Sequence, residues 1–285
     1  MPTFGIQTRT VIANDNFLFY SHRQFPFGCK NYIVEVATMK TFSTMLKTEL
    51  KLSLRDMNMV IFALCIPIVI TVILGIIYGN DLAFDGAEYT FLAQSFGALT
   101  TIAILAGGVM GLPMLVSDCR QRKILKRFKV TPISPAVILI VQLVIYALYA
   151  ITSLVLIYAT LAIFFGYYMV GSWAFFLPSH FLTMVSMFSI GMMVGGLAPN
   201  AKIASVIASL LYFPMLIFSG ATLPYEVMPE ALQRVADFMP LTQGIKLLQA
   251  TSLGLPMDSV LTPIIVMATI AVTCVTVSIR FFRWE

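Results

Sequence analysis

The sequence predicts an all-α protein whose helices cross a membrane six times. Of its 285 residues, 59% are hydrophobic and only 11% are charged, a balance far outside the range of soluble domains. Six apolar segments have the length of about 20 residues that crosses a hydrocarbon core. We place these spans at 59–79, 92–116, 136–163, 173–197, 203–223 and 260–279.

The charges between the spans alternate in sign and predict the orientation of the bundle. Residues 80–91 carry three acidic and no basic side chains, whereas residues 117–132 carry six basic side chains and one acidic one. Of the 18 Lys and Arg residues, only Arg234 and Lys246 fall on the predicted outer side. Because basic loops stay in the cytoplasm, we expect a multi-pass protein of the cell membrane with both termini inside. The net charge of +5 then requires no nucleic-acid partner.

The first 38 residues differ from the rest of the chain. They are mixed in composition and lack both an apolar core of signal-peptide length and a small-residue cleavage site. Met39 opens a sequence that is suitable as an N-terminus. We therefore expect residues 1–38 to be a non-native or disordered extension and residues 39–285 to form the membrane domain.

An amphipathic helix is predicted just before the first span. Between residues 41 and 57, Lys47, Lys51 and Arg55 recur every fourth residue on one face. Such a helix lies along the inner surface with its basic residues toward lipid headgroups. Surface anchoring and contact with a partner are both open as its role. The apolar positions at helical spacing are Phe42, Met45, Leu46, Leu50, Leu54 and Met57.

The connection between the second and third spans is strongly basic and reads SDCRQRKILKRFKVTP over residues 117–132. Its middle is compatible with a short helix that has Ser117 or Asp118 as N-cap and stops at Thr131-Pro132. A rigid basic rod held between two spans can pass force from a cytosolic partner into the membrane. Most loops of this kind only fix topology and touch headgroups, and charge alone favours that interpretation.

The outer connection between the fifth and sixth spans is divided by Pro224, Pro229 and Pro240. Pro229 and Pro240 stand where a first-turn proline is favoured, so the prolines predict two short helices. The first would have an apolar face, formed by Leu232, Val235, Ala236 and Met239. Short half-amphipathic helices at an outer surface suggest elements that dip back into the membrane or cap an exit path. A folded external loop that only closes the bundle is the alternative.

Several kinds of chemistry are disfavoured by what the spans contain. Their interiors lack Asp, Glu, Lys and Arg, which proton pumps, ion-coupled carriers and voltage sensors generally need at membrane depth. No cysteine lies in a segment predicted to be outside, and the chain has two histidines, so neither a disulfide framework nor a metal site is expected. We expect His180 to be hydrogen-bonded to a neighbouring helix.

Prolines and glycines within the spans predict how the helices pack. Prolines at positions 67, 113 and 214 should bend their helices. The pairs Gly107/Gly111 and Gly191/Gly195 have the spacing that lets helix backbones approach closely. Packing within one subunit is the favoured role of these pairs, and a dimer contact is the alternative.

Taken together, three stretches resemble the permease subunits of type-2 ABC exporters, which move drugs, lipids and polysaccharides out of cells. They are the entry helix at 41–57, the loop DCRQRKILKRFKVTPIS at 118–134 and the stretch SGATLPYEVMPEALQRVADFMPLTQGIKLLQA at 219–250. The resemblance covers the chain from about residue 39 to the end. One departure is that Arg120 is followed by Gln121, where the family usually has Glu. This weakens any salt bridge to a partner through that position.

The resemblance implies a division of labour between subunits. Two permease subunits, identical or paired with a relative, would bind two cytosolic ABC ATPase subunits. The chain lacks a GxxxxGK[ST] phosphate loop, so we expect ATP and Mg to bind the partner and this chain to bind no cofactor. Separately, the apolar spans with their aromatic and Met residues suit a lipophilic drug or a lipid-like molecule as the substrate.

The resemblance also assigns roles to residues. The loop becomes a coupling helix in a cleft of the ATPase, the basic face of the entry helix becomes a second contact, and the outer helices become a gate. The coupling residues are Arg120, Gln121, Arg122, Lys123, Ile124, Lys126, Arg127 and Phe128, the entry-helix residues are Lys47, Lys51 and Arg55, and the gate residues are Pro224, Glu226, Pro229 and Pro240.

Two other classes of function are weaker alternatives. A membrane-embedded enzyme that modifies lipid needs convergent nucleophiles, histidines or carboxylates at membrane depth, and the spans offer only His180 and scattered Ser and Thr. A channel or an ion-driven carrier would show transport that needs an ion gradient rather than ATP.

Overall fold

The computed structural model describes residues 42–55, 57–79, 81–83, 89–123, 135–220, 228–256 and 258–281. Thr41–Glu285 forms one compact unit, and the fold is described for that unit. The expectation for residues 1–38 lies outside the described residues.

The described residues are almost entirely helical. Helix α1 covers residues 42–53. Helix α2 comprises Met57–Val60, a π-helical turn at Ile61–Cys65 and Ile66–Tyr78, and α3 comprises Phe91–Leu105, a π-helical segment at Ala106–Gly111 and Leu112–Gln121. The remaining helices are α4 (Pro135–Phe165), α5 (Trp173–Leu197), α6 (Ala201–Phe218), α7 (Glu230–Asp237), α8 (Pro240–Leu253) and α9 (Asp258–Phe281).

Six of these helices are long and apolar enough to cross a membrane, as the sequence predicts. They are α2 to α6 and α9. The predicted limits differ from the helix ends by a few residues, and by five at the end of α3, which continues to Gln121, and at the end of α6, which stops at Phe218. The all-α fold with six spans is therefore confirmed.

Helix α3 lies at the centre of the bundle, and α2, α6 and α9 lie at its edge. Large α3 side chains such as Phe96, Leu99 and Ile102 are fully buried. In contrast, Leu210 of α6 and Ile279 of α9 are 72% and 77% exposed. Since exposed aliphatic side chains of this size are unfavourable in water, these edge faces are suited to lipid or to another subunit.

Two of the three predicted proline bends coincide with π-helical turns. Pro67 and Pro113 are each the second residue of the α-helical segment that follows such a turn. A proline ring clashes with the carbonyl four residues earlier, and a wider turn accommodates that clash. Pro214 lies inside α6 without such a turn among the described residues.

Candidate functional site

The contacts sort the helix ends into two groups on opposite sides of the bundle. Hydrogen bonds join α1 to the start of α4, and the end of α3 to the turn between α5 and α6. On the other side, Tyr78 at the end of α2 stacks on Phe91 at the start of α3, and Gly171 donates its amide hydrogen to the Ser252 carbonyl of α8. We call the first side the basic end. Its exposed basic side chains are Lys47, Lys51, Arg55, Arg122, Lys123, Lys202 and Arg280.

Helix α1 is amphipathic, as predicted, but the bundle covers much of its apolar face. Phe42, Met45, Leu46 and Leu50 pack on a small core formed by residues of α2 and α4. These core residues are Ala63, Val141, Ile145 and Tyr149.

Two side-chain hydrogen bonds hold α1 in place on α4. Gln142 Nε2 donates to Glu49 Oε2 at 2.9 Å, and Ser53 Oγ donates to Tyr149 Oη at 3.1 Å. The basic residues of α1 are therefore presented on a helix that is docked on the protein.

The predicted apolar stripe of α1 ends earlier than the spacing indicates. The helix stops at residue 53, so Leu54 and Met57 no longer share the face of Leu50. They are 55% and 64% exposed. This corrects the predicted extent of the amphipathic helix.

The prediction of a helix N-cap at Ser117 or Asp118 is wrong. Helix α3 continues through both residues to Gln121, and Ser117 Oγ donates to the Pro113 carbonyl at 2.7 Å inside the helix. Ser residues are favoured at helix caps, but within a helix the Ser hydroxyl can donate a hydrogen bond to a carbonyl of the preceding turn. The coupling residues Ile124, Lys126, Arg127 and Phe128 lie outside the described residues.

Of the coupling residues that are described, Arg120 and Gln121 bond to neighbouring helices, and Arg122 and Lys123 form an exposed pair at the turn that follows. Arg120 is 7% exposed, and its Nη1 donates to the Gly196 carbonyl of α5 at 2.8 Å. Gln121 is on the surface, and its Oε1 accepts a hydrogen bond of 3.2 Å from the Ala201 amide at the start of α6. Arg122 and Lys123 are exposed to solvent.

The exposed pair occupies the turn that ends α3. Arg122 Nε lies 2.8 Å from Asp118 Oδ2, and this hydrogen bond and the carboxylate charge raise the pKa of Arg122. Lys123 has φ +56°, a left-handed conformation that is unfavourable for residues other than glycine. The chain therefore turns away from the α3 axis at Lys123, where the basic loop begins.

The outer connection contains the two predicted helices, α7 and α8, but only α7 is half-exposed. Pro240 is the first residue of α8, as predicted, while Pro229 stands directly before α7. Pro224 and Glu226 lie outside the described residues. In α7, Ala236 is buried whereas Val235 is 48% exposed, so its predicted apolar face is only partly covered.

Helix α8 is buried on nearly all sides. Leu241, Leu247, Leu248 and Ser252 have no exposed surface. Built on Gly97 of α3, a Cβ atom would lie 2.8 Å from the backbone nitrogen of residue 249, so the two helices are in close contact. The helix dips into the bundle, and its partly exposed positions are the polar Gln243, Lys246 and Gln249, so it is amphipathic, as expected.

The environment of His180 differs from the prediction. Its side chain is 3% exposed and stacks on Phe176, with ring centroids 6.1 Å apart. Neither ring nitrogen has a hydrogen-bond partner among the described residues. The expected bond to a neighbouring helix is therefore absent from the described part of the chain.

A cavity that sequence analysis does not indicate lies between α2, α3, α4 and α6. Its volume is about 580 Å³, within the range of about 300–1,000 Å³ that is common for small-molecule sites. Apolar and aromatic side chains such as Met110, Tyr146 and Phe213 line most of it, and Asp118 lines it near the basic end. The π-helical segment of α3 forms part of the wall, and such segments are frequent at functional sites.

Comparison with known proteins establishes the family. The model of the ABC-2 type transporter family matches residues 40–253, about three quarters of the chain. The chain belongs to the ABC-2 type transporter family. The resemblance carried by the entry helix, the basic loop and the outer connection is thereby confirmed. The protein is a multi-pass membrane protein of this permease family.

Curated relatives match a shorter part of this ABC-2 transporter. Nodulation protein J from Rhizobium leguminosarum bv. viciae is 38% identical over 84 residues, which covers 30% of this chain and 32% of that protein. Nodulation protein J from Neorhizobium galegae is 34% identical over 79 residues, or 28% and 30% of the two chains. The protein of that name from Sinorhizobium fredii is 33% identical over 110 residues, or 39% and 40%. The matches thus span less than half of each relative.

Proposed function

We propose that this chain is the membrane permease of an ATP-driven exporter. Two such subunits, identical or paired with a relative, would form the translocation path in the cell membrane. Separate cytosolic ABC ATPases, which carry ATP and Mg, would bind at the basic end. Both termini would then face the cytoplasm.

The observation that carries the proposal is the family match together with the exposed charge at the basic end. The match includes α1, the basic loop and the outer helices. Basic side chains from α1 and from the end of α3 are exposed on the same side of the bundle. Two elements far apart in sequence therefore present one positively charged surface, which suits a partner with acidic clefts.

The cavity supports a lipophilic substrate. Its walls are mainly apolar and aromatic, and its volume of about 580 Å³ can hold a drug-sized molecule or part of a lipid. Helix α8 lies inside the bundle and α7 lies at its surface, so together they are placed to gate the outer exit. Pro229 and Pro240 stand at the starts of these two helices.

Charge reversal tests the proposed contact with an ATPase. The permease is co-expressed with a candidate ABC ATPase that co-purifies with the unmodified permease, and the residues Arg122, Lys123, Lys126 and Arg127 are changed together to Glu. We expect co-purification and permease-stimulated ATP hydrolysis to be lost. The control is Arg234→Glu on α7, an exposed charge at the opposite end, which should leave both unchanged. Retention of binding and stimulation in the fourfold variant would contradict the proposed coupling surface.

The energy source is tested in sealed vesicles that contain the complex and a fluorescent phospholipid analogue. ATP supplied on the side of the membrane that the basic end faces should drive movement of the probe across the membrane. Movement that persists without ATP and follows a proton or sodium gradient would favour the ion-driven carrier. Chemical conversion of the lipid, detected by mass spectrometry, would favour the membrane enzyme.

A further inference from the structure

Adjacent residues at the end of α3 bind the ends of two other helices. Arg120 donates to the Gly196 carbonyl, one residue before α5 ends, and Gln121 accepts from Ala201, the first residue of α6. Only residues 198–200 separate α5 from α6. Both sides of this short turn are thus bonded to the same turn of α3.

The chemistry of each contact matches the helix end that it touches. The last carbonyls of a helix lack partners within the helix and carry partial negative charge, and the first amides carry partial positive charge. The cation of Arg120 meets the C-terminal end of α5, and the oxygen of Gln121 meets the N-terminal end of α6. The Asn200 side chain accepts from the Ile203 amide at 2.9 Å, so Gln121 satisfies a different amide.

Close packing makes α3 and α5 a single mechanical element near these contacts. A Cβ atom on Gly195 would lie 2.8 Å from Val116 Cβ and 3.0 Å from Pro113 Cα. One on Gly191 would meet the Gly108 carbonyl oxygen. With their backbones this close, the two helices cannot slide past each other without a change in packing.

We propose that Arg120 and Gln121 form a clamp that transmits movement of the basic loop to α5 and α6. This inference rests on the proposed function, since it concerns how work from the ATPase enters the bundle. Both residues precede Lys123, where the loop leaves α3. A force on the loop therefore enters three helices together rather than α3 alone, and α6 borders the cavity. Arg120 and Gln121 are positioning residues, which act through α5 and α6.

The clamp explains how Gln121 can replace the glutamate that is usual in the family. The contact requires an oxygen that accepts from a helix N-terminal amide, and an amide oxygen does this without a negative charge. A carboxylate at this position would accept the same bond and would also interact favourably with the helix dipole. We therefore expect Gln121→Glu to preserve the clamp and Gln121→Leu to break it.

The test measures movement of α6 in the full permease–ATPase complex. Phe213→Cys, introduced after replacement of the four native cysteines, places one thiol on α6 at the cavity wall. The rate of maleimide labelling is measured with and without ATP. We expect ATP to change this rate by about fivefold or more with Gln121 or Gln121→Glu, and by less than about twofold with Gln121→Leu. Labelling without ATP and co-purification should be the same in all three.

Two further variants complete the experiment. Lys202→Arg changes an exposed side chain next to Ala201 but keeps its charge, and should keep the full response to ATP. Arg120→Lys retains a cation near the Gly196 carbonyl and should keep more of the response than Arg120→Met. Because Gln121 is exposed, its variants should fold even if those of Arg120 do not, and the Gln121 pair decides the question.

The outcomes separate the clamp from the proposed function. A full response to ATP in Gln121→Leu, or an equal loss in Gln121→Glu, overturns the clamp while ATP-driven movement stands. Loss of co-purification in Gln121→Leu also overturns it, because the residue would then bind the ATPase itself. Absence of any ATP response in a complex with native Gln121 and Arg120 contradicts the proposed function, and the clamp with it.

Discussion

Substitution of Gly195 by alanine should destabilise the contact between α3 and α5. The new Cβ atom would lie 2.8 Å from Val116 Cβ, about 0.6 Å inside the distance at which ordinary contact begins. It would also lie 3.0 Å from Pro113 Cα. Neither atom can rotate away, because both positions are fixed by the α3 backbone. The helices must therefore separate.

The expected magnitude follows from two opposing effects. Overpacking costs about 1–3 kcal/mol, while alanine in place of glycine in a helix gains up to about 1 kcal/mol. A net loss of about 1 kcal/mol is expected for Gly195→Ala. Gly107→Ala is the matched control, because its Cβ would first meet the Tyr146 ring at 3.1 Å, and that side chain can shift. The control should keep most of the stabilisation that alanine gives in a helix, so the free energies of unfolding of the two variants should differ by about 2 kcal/mol.

The assay is thermal unfolding of the detergent-purified protein, with the remaining folded fraction measured by size-exclusion chromatography. A difference of about 2 kcal/mol corresponds to about 4–8 °C in Tm for a domain of this size. The Tm of Gly191→Ala should be lower than that of both variants, because its Cβ would overlap with the Gly108 carbonyl. Equal melting temperatures for Gly195→Ala and Gly107→Ala would refute the close backbone contact inferred for α3 and α5.

Three other predictions can be checked with the same assay. Tyr167→Phe should keep or raise the stability of the fold by up to about 1 kcal/mol, because the buried Tyr167 hydroxyl has no hydrogen-bond partner in the described part of the chain. Tyr149→Phe should lower the stability by about 1 kcal/mol, because it removes the hydrogen bond to Ser53. The opposite order of the two variants would contradict both assignments. Burial raises the pKa of Tyr167 above its ordinary value of 10.0, so the phenol ionises more readily in the unfolded chain than in the fold. The free energy of unfolding should therefore fall as pH rises above about 10, and Tyr167→Phe should remove this fall in an alkaline titration. Lys123→Gly should remove the steric cost of the left-handed backbone conformation at φ +56°, so this variant should be about 1 kcal/mol more stable than Lys123→Thr. A more stable Thr variant would argue against that conformation.

Part of the candidate site follows from the sequence. The run of basic residues after Ser117 identifies a segment that cannot lie in hydrocarbon, and Arg122 and Lys123 are exposed, as a surface role requires. The inward direction of Arg120 is not predictable from that run. Arg120 and Arg122 have the same charge and neighbouring positions, and only the carbonyl at the end of α5 distinguishes them.

The number of spans, their approximate limits and the two helices of the outer connection follow from the amino-acid sequence alone. These are local properties, because a segment that crosses a membrane must be apolar and must satisfy its own backbone hydrogen bonds. Tertiary structure decided that α1 docks on α4, that α8 enters the bundle, that His180 lacks a partner among the described residues and that Gln121 binds α6. Each of these depends on which groups from distant parts of the chain meet. Periodicity and charge along one segment contain no information about such a meeting.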